Sequence, residues 1–140
     1  MKFFPFATAI AIGLSGCATP LPMADHPITM PRVVGEWRLV QIDRHRIENA
    51  IALHFRSDGQ LRGAIECNSF LTEYTVADDR IDIGDAIITA GGCHPRFDAD
   101  PRLVQQAEAV LFAEPPAAVT LDGSTLVLKG ASTLVFERIR

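Results

Sequence analysis

From Val33 to Arg138 the apolar residues fall at every second position in short runs, and each run stops at a polar turn. Only a β-strand places residues i and i+2 on one face, so this rhythm constrains the fold more than any other feature. Trp37 and Leu39 alternate with Arg38 and Val40; Ile51, Leu53 and Phe55 alternate with Ala52, His54 and Arg56. Ser57-Asp58-Gly59-Gln60 reads as a hairpin turn, because Asp-Gly tolerates the positive φ of tight turns. The return strand sets Leu61, Gly63 and Ile65 on one face and Arg62, Ala64 and Glu66 on the other. Further runs follow at Tyr74-Thr75-Val76, Ile81-Asp82-Ile83, Ile87-Ile88-Thr89, Val119-Thr120-Leu121, 125–128 and 133–138, with turns at Asp78-Asp79-Arg80, Asp122-Gly123 and 129–132. The expectation is a mainly β chain: eight or nine short strands in a small antiparallel β-barrel-like domain, with one packed α-helix.

The helix is expected after Asp100, a suitable N-cap, with Pro101 in the first helical position. Leu103, Val104, Ala107, Val110 and Leu111 then form one apolar stripe, and Pro115-Pro116 ends the segment. Its polar face carries Gln105, Gln106 and Glu108 rather than a lysine row, which favours packing on the sheet over lying on a membrane.

The N-terminal segment has a different character. Lys2 precedes an apolar stretch from Phe3 to Leu14, too short to span a bilayer and suited to a signal peptide. Leu14-Ser15-Gly16-Cys17 resembles the lipobox of bacterial lipoproteins, which implies cleavage after residue 16 and lipidation of Cys17. By the same resemblance Ala18, rather than Asp, after the cysteine suggests the outer membrane. Residues 17–32 hold four prolines and no periodicity, so they read as the lipidated cysteine and a flexible tether, with the folded domain over 33–140. The membrane partner would be reached through Cys17. A formal charge of −4 argues against a nucleic-acid partner, whose phosphates call for a basic surface.

With Cys17 lipidated, Cys67 and Cys93 remain, and in an oxidising envelope two such residues point to a disulfide. Free thiols and a redox or metal role are the alternatives. His94 is the best additional ligand, but tetrahedral zinc wants four donors and no CxxC or HxxxH spacing occurs, so neither metal nor cofactor is expected. Ser69, His54 and Asp58 supply the residue types of a nucleophilic triad without a nucleophile elbow, and no catalytic residue is assigned. Asp78, Asp79, Asp82 and Asp85 lack the ligand spacing and glycine of an EF-hand and read as solvated. Asn68 is expected to hydrogen-bond turn backbone or to meet a partner. Arg38, Arg56, Arg62 and Arg138 read as outward strand residues able to bridge Glu66 and Glu137.

In order, the chain shows Trp37 and Leu39, an Asp-Gly hairpin, Gly63, then Cys67, Asn68, Phe70 and Tyr74. Thr89 and Cys93, a helix, and a terminal strand with Leu134, Phe136 and Arg138 complete the pattern. This arrangement resembles the META domain, the family of HslJ-like heat-inducible envelope lipoproteins. The resemblance implies a helix-packed β-barrel-like domain, with Trp37, Asn68, Phe70, Tyr74 and Arg138 as structural or binding positions. It also implies a role in envelope stress response or novobiocin-type antibiotic tolerance, in a family with no established enzymatic reaction. Glu66 and Thr72 stand where the family usually has glycine, which implies a local backbone difference or a compensating small neighbour. The expected function is non-catalytic binding of an envelope protein or small molecule from a periplasm-facing position. A periplasmic protease inhibitor and a small-ligand-binding barrel are the alternatives, although Trp37, Phe55, Ile65 and Phe136 suggest a filled interior.

Overall fold

The computed structural model describes residues 16, 28–89, 91 and 99–140. Its elements are α1 (Met30–Val33), β1 (Gly35–Ile42), β2 (His45–Arg46), β3 (Ile51–Phe55), β4 (Gln60–Ile65), β5 (Asn68–Ala77), β6 (Arg80–Ile83), β7 (Ile87–Ile88), α2 (Pro101–Leu111), β8 (Ala117–Asp122), β9 (Thr125–Lys129) and β10 (Thr133–Arg138). All strand pairings are antiparallel. The order runs β1-β3-β4-β5-β6-β8-β9-β10 and closes back onto β1, giving an eight-strand barrel with β2 and β7 as additions. Closure pairs both edges of the terminal strands, which an open sheet of the same sequence would leave exposed.

The alternation read from the sequence is the alternation between barrel interior and solvent. Trp37, Leu39, Phe55, Leu61, Leu126, Leu128, Leu134 and Phe136 are wholly inaccessible and fill the middle of the barrel. Ala52, His54, Arg62 and Ala64 take the outer face opposite them. An eight-strand barrel has an interior just wide enough for side chains, so these large residues complete it.

Helix α2 begins where the sequence places it. The Asp100 carboxylate accepts the Arg102 N–H at 2.9 Å, and Pro101 occupies the first turn. Val104, Ala107, Val110 and Leu111 are buried against β1, β9 and β10, with Leu103 half-buried. The helix ends at Leu111, before the two prolines, with Phe112 as its C-cap.

The structure corrects the boundary of the tether. Residues 28–32 were expected to belong to it, but Ile28 is buried and donates its N–H to Asp79 Oδ1 at 2.9 Å. Met30–Val33 form α1, with Pro31 in its first turn and Val33 buried. The apolar residues here are too sparse to show a period, so only their tertiary neighbours identify them as core. Strand β5 is also longer than the Tyr74-Thr75-Val76 run, starting at Asn68. Phe70, Thr72 and Tyr74 point inward, and the polar Thr72 conceals that rhythm in the sequence.

Candidate functional site

Most of the family-pattern residues build two packing clusters. In the first, Trp37 is fully buried and donates its indole N–H to Val33 O at 2.8 Å. Arg138 lies opposite Trp37 in the β1–β10 register, with its guanidinium carbon 4.2 Å from the centre of the Trp37 ring. The same guanidinium donates to Val34 O at 2.8 Å and Arg32 O at 3.3 Å. Arg138 therefore continues the inward row of Leu134 and Phe136 at the barrel end, which corrects its reading as an outward arginine. Gly35, at φ +135°, makes room: a Cβ there would run into the guanidinium. This cluster fastens the N-terminal α1 segment to the C-terminal strand.

The second cluster surrounds Phe70. Gly63 lies opposite Phe70, and a Cβ on Gly63 would overlap the Phe70 ring. Phe70 meets Phe112 edge-on at 5.6 Å, which ties β5 to the end of α2. Tyr74 meets Phe55 edge-on at 4.8 Å and donates its hydroxyl to Arg56 O at 2.7 Å. Burial pushes the Tyr74 phenol above its ordinary pKa, with the Asp58 charge adding to the shift.

The two departures from the family pattern have physical accounts. Glu66 adopts φ +53°, so the left-handed backbone that glycine would favour is kept with a side chain present. Thr72 is nearly buried, with its hydroxyl donating to Asp85 O at 3.1 Å. Gly84 leaves room beside it: a Cβ there would stand 3.2 Å from the Thr72 oxygen. Beside the Glu66-Cys67 turn, Asn68 Oδ1 accepts the Gly91 N–H at 2.9 Å, and the Cys67 sulfur lies 3.7 Å from Gly91 O. Cys17, Cys93 and His94 lie outside the described residues.

The triad residues are not brought together. Ser69 lies opposite Ala64 and His54 opposite Arg62, so they sit two strands apart and two residues out of line. Sheet spacing puts their α-carbons on the order of 10 Å apart, beyond hydrogen-bond reach. His54 Nδ1 instead lies 3.9 Å from Glu36 Oε1, and Asp58 pairs with Arg56 at 3.2 Å. The Gln60 N–H, 3.1 Å from Asp58 Oδ1, and then the Arg56 charge hold that carboxyl below its usual pKa.

The outer face of β1, β3, β4, β5 and β7 is the surface feature that sequence reading missed. Across it, the register aligns Glu36, His54, Arg62, Leu71 and Ile87 in one row. A second row holds Glu137, Arg38, Ala52, Ala64 and Ser69. The small Ala52 and Ala64 leave a shallow groove of about 290 Å³ bordered by Glu36, His54, Arg62 and Ile139. Leu71, Ile87, Ile88 and Ile139 are the large exposed hydrophobic residues among those described, at 50%, 87%, 39% and 41% exposure. Leu71 and Ile87 stand directly opposite each other at one end of this face, and Ile139 lines the groove at the other. An exposed apolar pair at one end, Ile139 at the other and the charged Arg62, His54 and Glu36 between them give this face the mixed apolar and polar composition of a contact surface.

Comparison with known proteins yields a consistent fold. The family model described as META domain matches residues 31–140. An NMR structure of a protein from Burkholderia xenovorans superimposes with a TM-score of 0.59 at 17% identity, covering 99% of each chain. A second NMR structure gives a TM-score of 0.62 at 19% identity, covering 79% of this chain and 95% of the other. No curated protein matches the sequence.

Proposed function

This chain belongs to the META domain family, and from that premise we propose that it is a lipid-anchored domain of the cell envelope, facing the periplasm and acting by binding a partner rather than by catalysis. Cys17 carries the anchor, residues 1–16 are removed, and the outer membrane is its site. Its service is envelope maintenance under heat or novobiocin-type stress. The observation that carries the binding reading is the outer face on which Ile139 lines the Ala52–Ala64 groove and Leu71 and Ile87 stand exposed beyond Arg62. The filled interior supports this reading over a barrel that encloses a ligand. The placing of Cys67 beside Gly91 supports a Cys67–Cys93 disulfide that staples the segment ahead of α2.

Site-specific photo-cross-linking in intact cells tests the face. A photoreactive residue at Leu71 or Ile87 is expected to give a discrete adduct, and one at the exposed Thr120 of β8 none. Equal labelling from both positions, or none from either, overturns the reading. In a strain lacking the protein, Ile87→Ser is expected to restore novobiocin tolerance less well than the parent at equal protein level.

A further inference from the structure

A groove of about 520 Å³ runs between the C-terminal end of α2 and strands β6, β8 and β9. It is separate from the β1–β3–β4 face and shares no lining residue with that groove. Phe112, Ala113 and Pro116 form its apolar wall, and Arg80 and Lys129 its cationic one, with Glu114 as the one carboxylate among its lining residues.

The register explains why the two cations occur together. Ala118 of β8 pairs with Arg80 of β6 on one side and with Lys129 of β9 on the other. Residues directly opposite in a sheet project to the same face, so both cations stand on the outside with only an alanine between them. Strand spacing puts their α-carbons about 10 Å apart. Lys129 is the only lysine beyond Lys2, in a chain of net charge −4. Arg80 is held in place, since Nη1 donates to Pro116 O at 2.7 Å and uses one of the guanidinium's donors. The Phe112 ring is held edge-on by Phe70. A fixed aromatic wall beside two cations of unequal freedom is a preorganised receptor for an apolar body that ends in an anion.

We propose that this groove binds a small carboxylate carried on a flat apolar body, with the carboxylate between Arg80 and Lys129 and the body against Phe112, Ala113 and Pro116. The site is independent of the partner-binding face.

The test is an NMR titration of the nitrogen-labelled chain of residues 18–140, which contains every described strand, both helices and the core. Naphthoate is the probe, with uncharged naphthalenemethanol as its control. Naphthoate is expected to shift the amide resonances of residues 112–118 and 129–131 saturably. The alcohol is expected to bind about tenfold more weakly, the worth of a charge-assisted contact. Lys129→Gln, an exposed position, is expected to weaken naphthoate severalfold, and Ala118→Glu to abolish binding by placing a carboxylate between the cations. Ile87→Ser is expected to leave binding unchanged. Scattered shifts, equal affinity for the alcohol, or an unaltered Lys129→Gln affinity would overturn the proposal.

Discussion

Single residues carry much of this fold, and several do so against their usual preferences. Glu66 holds φ +53°, where a side chain is strained by about 1 kcal/mol relative to glycine. Glu66→Gly is therefore expected to raise stability by about 0.5–1 kcal/mol in a urea unfolding experiment. Gly63 shows the opposite constraint. Gly63→Ala must displace the Phe70 ring and is expected to cost about 1–3 kcal/mol, the usual range for overpacking. Most of that loss should vanish in a Phe70→Leu background if the ring is the cause. Tyr74 gives a pH dependence. Its phenol is raised in the folded state, so its contribution to stability is fully present below the unfolded pKa near 10. It is lost as pH rises through the folded value. Tyr74→Phe is expected to flatten the fall in stability above about pH 10, at the cost of the hydrogen bond to Arg56 O.

At the level of elements, the N-terminal segment and the last strand form one unit. Arg138 joins them through the Trp37 ring and the carbonyls of Val34 and Arg32. Arg138→Met keeps the bulk and removes the charge and donors, and is expected to cost about 2–3 kcal/mol. Arg138→Lys should recover less than half of that, because an ammonium cannot stack flat while also reaching both carbonyls. Faster hydrogen exchange at the described residues of the α1 segment, relative to β4 and β5, would show that the loss is local to this junction. Helix α2 was legible in the sequence because cap, first-turn proline and apolar stripe agree. Segment α1 was not, because four residues are too few to show a period and Pro31 suits a tether as well as a first turn. The same limit applies to β7, whose two isoleucines reveal neither an inward nor an outward face.

For the whole molecule, closure of β1 onto β10 turns alternating strands into a filled barrel and leaves the outer face as the surface that can vary in function. The proposed anchor and staple also act at this scale. Intact mass of the protein extracted without reductant is expected to show a chain beginning at Cys17, heavier by lipid, with no alkylatable thiol after denaturation. Replacing both Cys67 and Cys93 with serine is expected to lower stability by about 3 kcal/mol, the chain-entropy worth of a loop this long. Two alkylatable thiols in the intact protein would remove the staple.

The sequence by itself determined the faces of β1, β3 and β4, the Asp58-Gly59 and Asp122-Gly123 turns, the start of α2 and its buried stripe. These are local properties: periodicity, turn chemistry and capping act within a few residues. Tertiary structure decided that Arg138 turns inward over Trp37, that Ile28 and Val33 belong to the core, and that Gly84 makes room for Thr72. It also decided which exposed residues gather on one face. Leu71 and Ile87 lie 16 positions apart and meet only through the β5–β7 register. Arg80 and Lys129 meet only across Ala118. Such juxtapositions depend on which strands become neighbours when the barrel closes, a long-range choice that no local pattern in the chain encodes.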